Sequence, residues 1–257
     1  PIDSDSVCDV TEQLARYAFR MLYDAGTTEA AILQMLEVVG RAYDVSRVYI
    51  FENSADDTLC YNTFEWCGEG GSSERENLQG LSYQEDLGDY QSNFDANGIF
   101  YCRDISTLHP HLYAVLAPQG ICSMLQCAIL DDGRFKGYVG FDECRANRYW
   151  TQEQIESLTL VARVLSTFLM KQRLREHVQA LEQRLVLLGV MREADSVFDQ
   201  ATAQALAIYQ KNMGLEQTGE LDLLTFQSIT DLVNAVKNVR YVHDDQLDKA
   251  VELITAP

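Results

Sequence analysis

The chain has 257 residues, with 39 acidic against 20 basic side chains and a formal net charge of −19 at pH 7. Hydrophobic residues make up 47% of it, with four prolines and 15 glycines, which supplies packed cores and excludes disordered and collagen-like chains. The acidity argues against nucleic acid or an anionic membrane as the main partner, because both are polyanions.

Apolar residues at a helical period predict a first helix over Val7–Tyr23, stopped at Asp24-Ala25-Gly26. A second starts at Thr27 or Thr28 and places Ile32, Leu33, Leu36, Val39 and Tyr43 on one face. From Arg47 the period drops towards two. Val48–Phe51 and Leu59–Trp66 read as the strands of a hairpin turning at Asn53–Asp57. The glycine- and charge-rich stretch from Gly68 to Gly98 reads as a long loop of the kind that often belongs to a functional lid. Ile99–Cys102 follows as a short strand and His109–Leu116 as one or two helical turns. Ile121–Leu130 and Phe135–Cys144 flank Asp131-Asp132-Gly133, a hairpin turn. Thr151 and Gln154 form a capping-box pattern that opens a helix running to about Leu188 without Pro or Gly. The order of elements predicts an α+β layer with an antiparallel sheet and flanking helices.

Certain residues go beyond periodicity. Beside the first hairpin stand Gly120-Ile121-x-Ser123 and Phe135-x-Gly137-Tyr138-Val139-Gly140-Phe141. Asp142-Glu143-Cys144-x-x-x-Arg148-x-Trp150-Thr151 closes the segment, ahead of Glu153, Ile155 and Leu158. Roughly residues 10–172 resemble the GAF domains of bacterial signalling proteins. The resemblance implies a module that binds a small ligand or dimerises and signals through its exit helix.

Further on stand Val178-x-x-Leu181-x-x-x-Leu185-x-x-Leu188-Gly189 and Phe198-Asp199-x-x-Thr202-x-x-Ala205-Leu206. Tyr209-Gln210-Lys211-x-x-Gly214-Leu215-x-x-Thr218-Gly219-x-Leu221-Asp222-x-x-Thr225 completes the pattern. Residues 176–233 resemble the small three-helix peptidoglycan-binding-like domain. Asp199 and Asp222 suit helix starts and Gly214 a helix stop. Asp195-Ser196-Val197-Phe198-Asp199 departs from that family, which has Asp-Gly before the Phe and Phe-Gly at it. The organisation expected is a GAF-like domain over 1–172, a connecting helix with a small all-α domain over 173–233, and a tail over 234–257 with an amphipathic helix at Gln246–Ile254.

No long run of uncharged apolar residues occurs, so no membrane span is expected. The first residues, Pro1-Ile2-Asp3-Ser4-Asp5, lack the basic and apolar regions of a secretion signal. Seven cysteines without a C-x-x-C pair or zinc-finger spacing are expected to be mostly reduced, in a cytoplasmic protein.

Weighing the candidate chemistry favours binding over catalysis. Tyr61, Phe64, Trp66, Phe94, Tyr101 and Tyr113, with Cys122 and Cys127, are the candidate ligand-lining set, against the plainer reading as core residues. The acidic loop around Glu65, Glu74 and Glu76 reads as solvated. His109-Pro110-His111 lacks further metal ligands at matching spacing. Bilin-binding GAF domains that attach their pigment on this helix have Cys directly before the His, where Pro110 stands, so a covalent bilin there is not expected. The second alternative, a GAF-type free-methionine-sulfoxide reductase, would need its thiols among Cys102, Cys122 and Cys127.

The expectation is therefore a non-catalytic sensory or regulatory protein with an unknown small-molecule ligand, no cofactor and no metal. It would form a homodimer through flanking helices, with a seam between Leu158 and Leu174, and could serve a downstream signalling domain. From Val178 onward the helix changes role: Val178, Leu181, Leu185 and Leu188 are expected to face the interior of the small domain. Cell-wall binding by the C-terminal domain is the alternative.

Overall fold

The computed structural model describes residues 28–236, residue 70 excepted. The helices expected over Val7–Tyr23 and Gln246–Ile254 lie outside the described residues. The chain divides into two compact units, Pro1–Met170 and Lys171–Pro257.

The first unit is built on a six-stranded sheet. Helix α1 (Thr28–Tyr43) leads into β1 (Arg47–Asn53) and β2 (Leu59–Cys67), followed by the two-residue β3 (Leu81–Ser82). Strand β4 (Ile99–Cys102) and the short helix α2 (Pro110–Leu116) precede the hairpin β5 (Ser123–Asp131) and β6 (Arg134–Glu143). The order across the sheet is β3-β2-β1-β6-β5-β4, and the pairing throughout is antiparallel. Asp132 and Gly133 turn the last hairpin with φ of 46° and 75°, the double left-handed pair that matches strand twist.

Two apolar layers sandwich this sheet. On one face Ile32, Met35, Leu36 and Val39 of α1 pack on Val48, Ile50, Val139 and Phe141. They are joined by Leu158, Val161, Leu165 and Phe168 from helix α3 (Gln152–Leu187). The start of α3 carries the anticipated capping box: Thr151 Oγ1 accepts from the Gln154 amide, and Gln154 Oε1 from the Thr151 amide, both at 3.2 Å. On the other face the stretch expected to be loop supplies β3, a π turn at Tyr83–Leu87 and a 3₁₀ turn at Tyr90–Asn93. Leu87 and Tyr90 from these turns, Ile105 from a further 3₁₀ turn at Ile105–Thr107, and Leu112 and Leu116 from α2 cover Tyr49, Phe51 and Tyr138.

The second unit is helical, with the end of α3, then α4 (Gln200–Met213) and a helix over residues 223–236. Leu181, Leu185, Ala205, Leu206, Tyr209 and Ile229 form its core. Asp199 caps α4 in a reciprocal box with Thr202, and Gly214 ends it at φ 71°. The Thr225 amide donates to Asp222 Oδ1 at 2.7 Å, the cap anticipated for the last helix. Ser196 takes φ 67°, a left-handed conformation at the position where the family pattern has glycine. Its amide and that of Asp195 donate to the fully buried Glu182 carboxylate at 2.8 and 2.9 Å, which also accepts from Thr202 Oγ1 at 2.8 Å. Leu174 is 63% exposed, while Val178, Leu181 and Leu185 are buried.

Candidate ligand site

The face of the sheet away from α1 and α3 carries a line of polar side chains inside an aromatic layer. Arg47 on β1 faces Asp142 on β6 across directly paired backbone positions. The guanidinium donates to Asp142 Oδ2 through Nε at 3.2 Å and Nη2 at 2.9 Å, and through Nη1 to the Ser72 carbonyl at 3.1 Å. Both side chains of the pair are 1% exposed. The line continues across the sheet: Tyr49 OH donates to Asp142 Oδ1, Gln126 Nε2 donates to Tyr49 OH, and Tyr90 OH donates to Gln126 Oε1, each at 2.9 Å. Every group in it therefore has a partner, the condition under which a buried polar network is tolerated.

Burial sets the protonation. It pushes the Asp142 carboxyl above the usual carboxylate range, while the Arg47 charge and the Tyr49 hydroxyl pull it back. The phenols of Tyr49, Tyr90 and Tyr138 are all raised by desolvation, so they stay neutral donors at physiological pH.

A break in β2 completes the site. Ile50 pairs with Phe64 but Phe51 pairs with Asn62, so Thr63 is an extra residue in β2. The bulge changes which side chains face which layer. Cys60 and Asn62 share the pocket face with Asn53 and Phe51, and beyond the bulge Glu65 rejoins it opposite Tyr49. Asn62 and Glu65, three apart, would lie on opposite faces of a regular strand. Here Asn62 Nδ2 donates to Glu65 Oε1 at 3.1 Å. Glu65 is further held by Ser73 Oγ and by the amides of Glu74 and Arg75. Asn62 is 1% exposed, and among the described residues its Oδ1 has no hydrogen-bond partner.

Tyr49, Phe51, Asn62, Glu65, Gln126, Tyr138 and the Arg47–Asp142 pair line one wall of a narrow pocket with a cavity volume of about 20 Å³, or about 400 Å³ when all the space between atoms and the open mouth are counted. Leu78, Leu81, Leu87, Tyr90, Leu116 and Gln119 line the covering side. Phe51 and Tyr138 stack at 4.8 Å between centroids, and Tyr90 and Tyr138 at 5.4 Å. Gly140, opposite Tyr49, lets that ring lie against the sheet: a Cβ there would sit 2.2 Å from the ring carbons.

None of the eight residues expected from sequence to line a ligand lines this pocket. Phe64 and Cys127 belong to the core beneath the helices, and Trp66 and Tyr101 pack against it. Trp66 lies on α1 at Gly40, where a Cβ would stand 2.0 Å from the indole. Tyr101 OH accepts from the Trp150 amide at 3.2 Å. Tyr61 pairs with Glu52, on the face opposite to Asn62. Phe94 packs on the pocket-side layer against Tyr90, Phe100 and Phe135. Tyr113 is 42% exposed, and Cys122 is half-buried with its thiol 3.5 Å from the Cys144 carbonyl. Arg47, Asn62, Gln126 and Asp142 were not singled out. Their one signal is polar side chains standing at inward positions of apolar strands.

The six described cysteines are free. Cys102 and Cys127 belong to opposite layers of the sheet, and burial pushes both thiols up, that of Cys127 to about 11. Among the described residues no group of three or more His, Cys, Asp or Glu side chains is placed to hold a metal ion, and no helix is long and apolar enough to cross a membrane.

Comparisons with known proteins bear on each unit. Residues 175–229 match the family described as "Putative peptidoglycan binding domain". Over 165 residues, 63% of this chain, the sequence is 30% identical to the methanogenesis regulatory histidine kinase FilI of Methanothrix harundinacea. The chain spans 18% of that relative's length. Among solved structures, the phycocyanobilin-bound GAF domain of a cyanobacterial phytochrome is similar with a TM-score of 0.54 at 16% identity, covering 65% of this chain and 97% of that one. The chromophore-binding domain of an R. palustris bacteriophytochrome is similar with a TM-score of 0.53 at 16% identity, covering 65% and 62%. These two structural likenesses concern the fold alone. The GAF family model matches residues 27–169, more than half of the chain, and the protein belongs to the GAF domain family.

Proposed function

We propose that this chain is a non-catalytic sensory module whose GAF domain takes a small ligand in the pocket beside the Arg47–Asp142 pair and passes its state on through α3. One observation carries the reading: a buried, hydrogen-bonded polar line within an aromatic layer, opening on a pocket in a GAF domain. The regulatory kinase relative and the pigment-bound neighbours support a sensory role. The ligand here is smaller than a linear tetrapyrrole, since the cavity is narrow and lined by the stacked rings of Phe51, Tyr90 and Tyr138, and Pro110 before His111 on α2 leaves no cysteine there for attachment.

The mechanism follows from placement. Helix α3 begins against the sheet and runs on into the second unit, so its sheet-side half is the element whose packing a ligand can bias. A ligand changes output only by binding two conformers with different affinity. Exposed Leu160 and Leu174 on α3 support a homodimer through this helix in a cytoplasmic protein with reduced thiols. The separation of Cys102 from Cys127 and their raised thiols support a role without thiol catalysis.

The test is hydrogen exchange on the full chain with and without a compound that raises its melting temperature. Altered protection in residues 152–187 is expected, and protection changes confined to the pocket strands would refute transmission. A second reading, peptidoglycan binding by the helical unit, is favoured by the family match and by exposed Val197, Phe198, Leu223 and Leu224. Retention of the full chain on insoluble cell wall, against a chain with Leu223 and Leu224 changed to Ser, separates the two.

A further inference from the structure

We infer that the pocket selects a ligand presenting an N–H donor, neutral or cationic, to Asn62 Oδ1, and disfavours carboxylates and phosphates. The inference rests on the proposed ligand-binding role of this pocket and specifies the chemistry it recognises.

The orientation of the Asn62 amide is fixed by its neighbour. Glu65 accepts from Ser73 and from two backbone amides, as a carboxylate does, so the side of Asn62 that meets it must be the NH₂ group. Turning the amide over would set its carbonyl against the carboxylate. The carbonyl oxygen is therefore left facing away from Glu65, buried and without a partner. An unmade hydrogen bond to a buried polar atom is costly, and proteins rarely leave one. Phe51, Leu78 and Leu81, which line the same pocket, offer no side-chain donor. A donor that enters the pocket would supply the missing partner.

Charge narrows the class further. The titratable lining groups are Arg47, Asp142, Glu65 and the phenols of Tyr49, Tyr90 and Tyr138. Arg47 is committed to Asp142 and to the Ser72 carbonyl, and among the described residues no second cation lines the pocket. Glu65 leaves one negative charge in excess. An anion would have to compete with Asp142 for Arg47 and would face both carboxylates at low dielectric. A flat group bearing an amide, amidine or amino-heterocycle N–H suits the stacked aromatic wall and the waiting acceptor together.

Four probes sharing one ring test this on the full chain: benzamide and benzamidine as N–H donors, methyl benzoate and benzoate as matched compounds without one. Titration followed by NMR is expected to give the two donors at least tenfold tighter binding, with the Asn62 side-chain NH₂ resonances shifting only for them. Asn62→Leu is expected to bring the four within threefold. The side-chain resonances of the unaltered protein decide the matter should that variant fold poorly. Equal binding of all four, or tighter binding of benzoate, overturns the donor requirement while leaving the pocket a ligand site. Binding of none, with no pocket resonance moved, overturns the donor requirement, and the ligand-binding reading falls with it only if no compound of a broad metabolite panel moves a pocket resonance.

Discussion

Arg47 and Asp142 are 95 residues apart in sequence yet meet at 2.9 Å on directly paired positions of β1 and β6, both closed to solvent. A pair so placed is more consequential when broken than when absent, because each charge has been stripped of water. Asp142→Asn leaves the guanidinium without a counter-charge, and a loss of about 3–5 kcal/mol is expected in chemical denaturation. Replacing both at once, Arg47→Met with Asp142→Leu, removes the uncompensated charge and is expected to cost less than Asp142→Asn alone. A double variant at least as unstable as the single one would deny the pair its self-contained character.

Gly140 is the second lever on the same network. A methyl group there would enter the Tyr49 ring, which sits between Asp142 and Gln126. Gly140→Ala is expected to destabilise by about 1–3 kcal/mol through overpacking. Adding Tyr49→Leu should recover part of that loss. Thermal unfolding of the three variants checks the order.

In the helical unit, Ser196 holds a conformation that glycine adopts without steric cost. Ser196→Gly is expected to stabilise by about 0.5–1 kcal/mol, the relief of a left-handed side chain partly offset by unfolded-state entropy. Glu182→Leu acts the other way, stripping the partner from the amides of Asp195 and Ser196. Hydrogen exchange at those two amides should accelerate in the leucine variant and be little changed in the glycine one.

Acid behaviour singles out Glu143. Burial pushes its carboxyl up, but hydrogen bonds from the Arg145 side chain and amide and from Ser46 outweigh this and hold it down to about 2, against an ordinary value of 4.5. A carboxylate depressed on folding adds stability that is complete above its unfolded value and lost as pH falls towards its folded one. The contribution of Glu143 should therefore fade between about pH 4.5 and 2. Glu143→Gln is expected to flatten the stability profile across that window and to leave its slope above pH 6 unchanged.

Thiol reactivity offers a check on burial. Desolvation raises Cys60 and Cys127 to about 11, and both are closed to solvent. Iodoacetamide at pH 8 is expected to leave both unmodified in the native protein and to modify them after denaturation, as read by mass spectrometry.

Much of the fold was legible because it is written in local periodicity. The Ile99–Cys102 strand, the turn at Asp132-Gly133, the Thr151–Gln154 box and the Asp199, Gly214 and Asp222 caps all stand where the sequence places them. The site was not legible, for a reason that Thr63 makes plain. A single bulge residue turns Phe64 and Trp66 to the helix-covered face and brings Asn62 and Glu65 together on the other, and strict alternation along Leu59–Trp66 gives no sign of it. The Arg47–Asp142 contact depends on strand pairing across 95 residues, which no local pattern encodes. Aromatic residues are common in pockets and cores alike, whereas the polar side chains among them distinguish this pocket.

The central claim is that the pocket beside Arg47 and Asp142 binds a small molecule. Thermal shift of the full chain against a broad metabolite and nucleotide panel, repeated with Tyr138→Ala, tests it most directly. At least one compound should raise the melting temperature of the unaltered chain by several degrees and have no effect on the Tyr138→Ala chain. A panel without a single such compound, or one whose effect survives the loss of Tyr138, would contradict it.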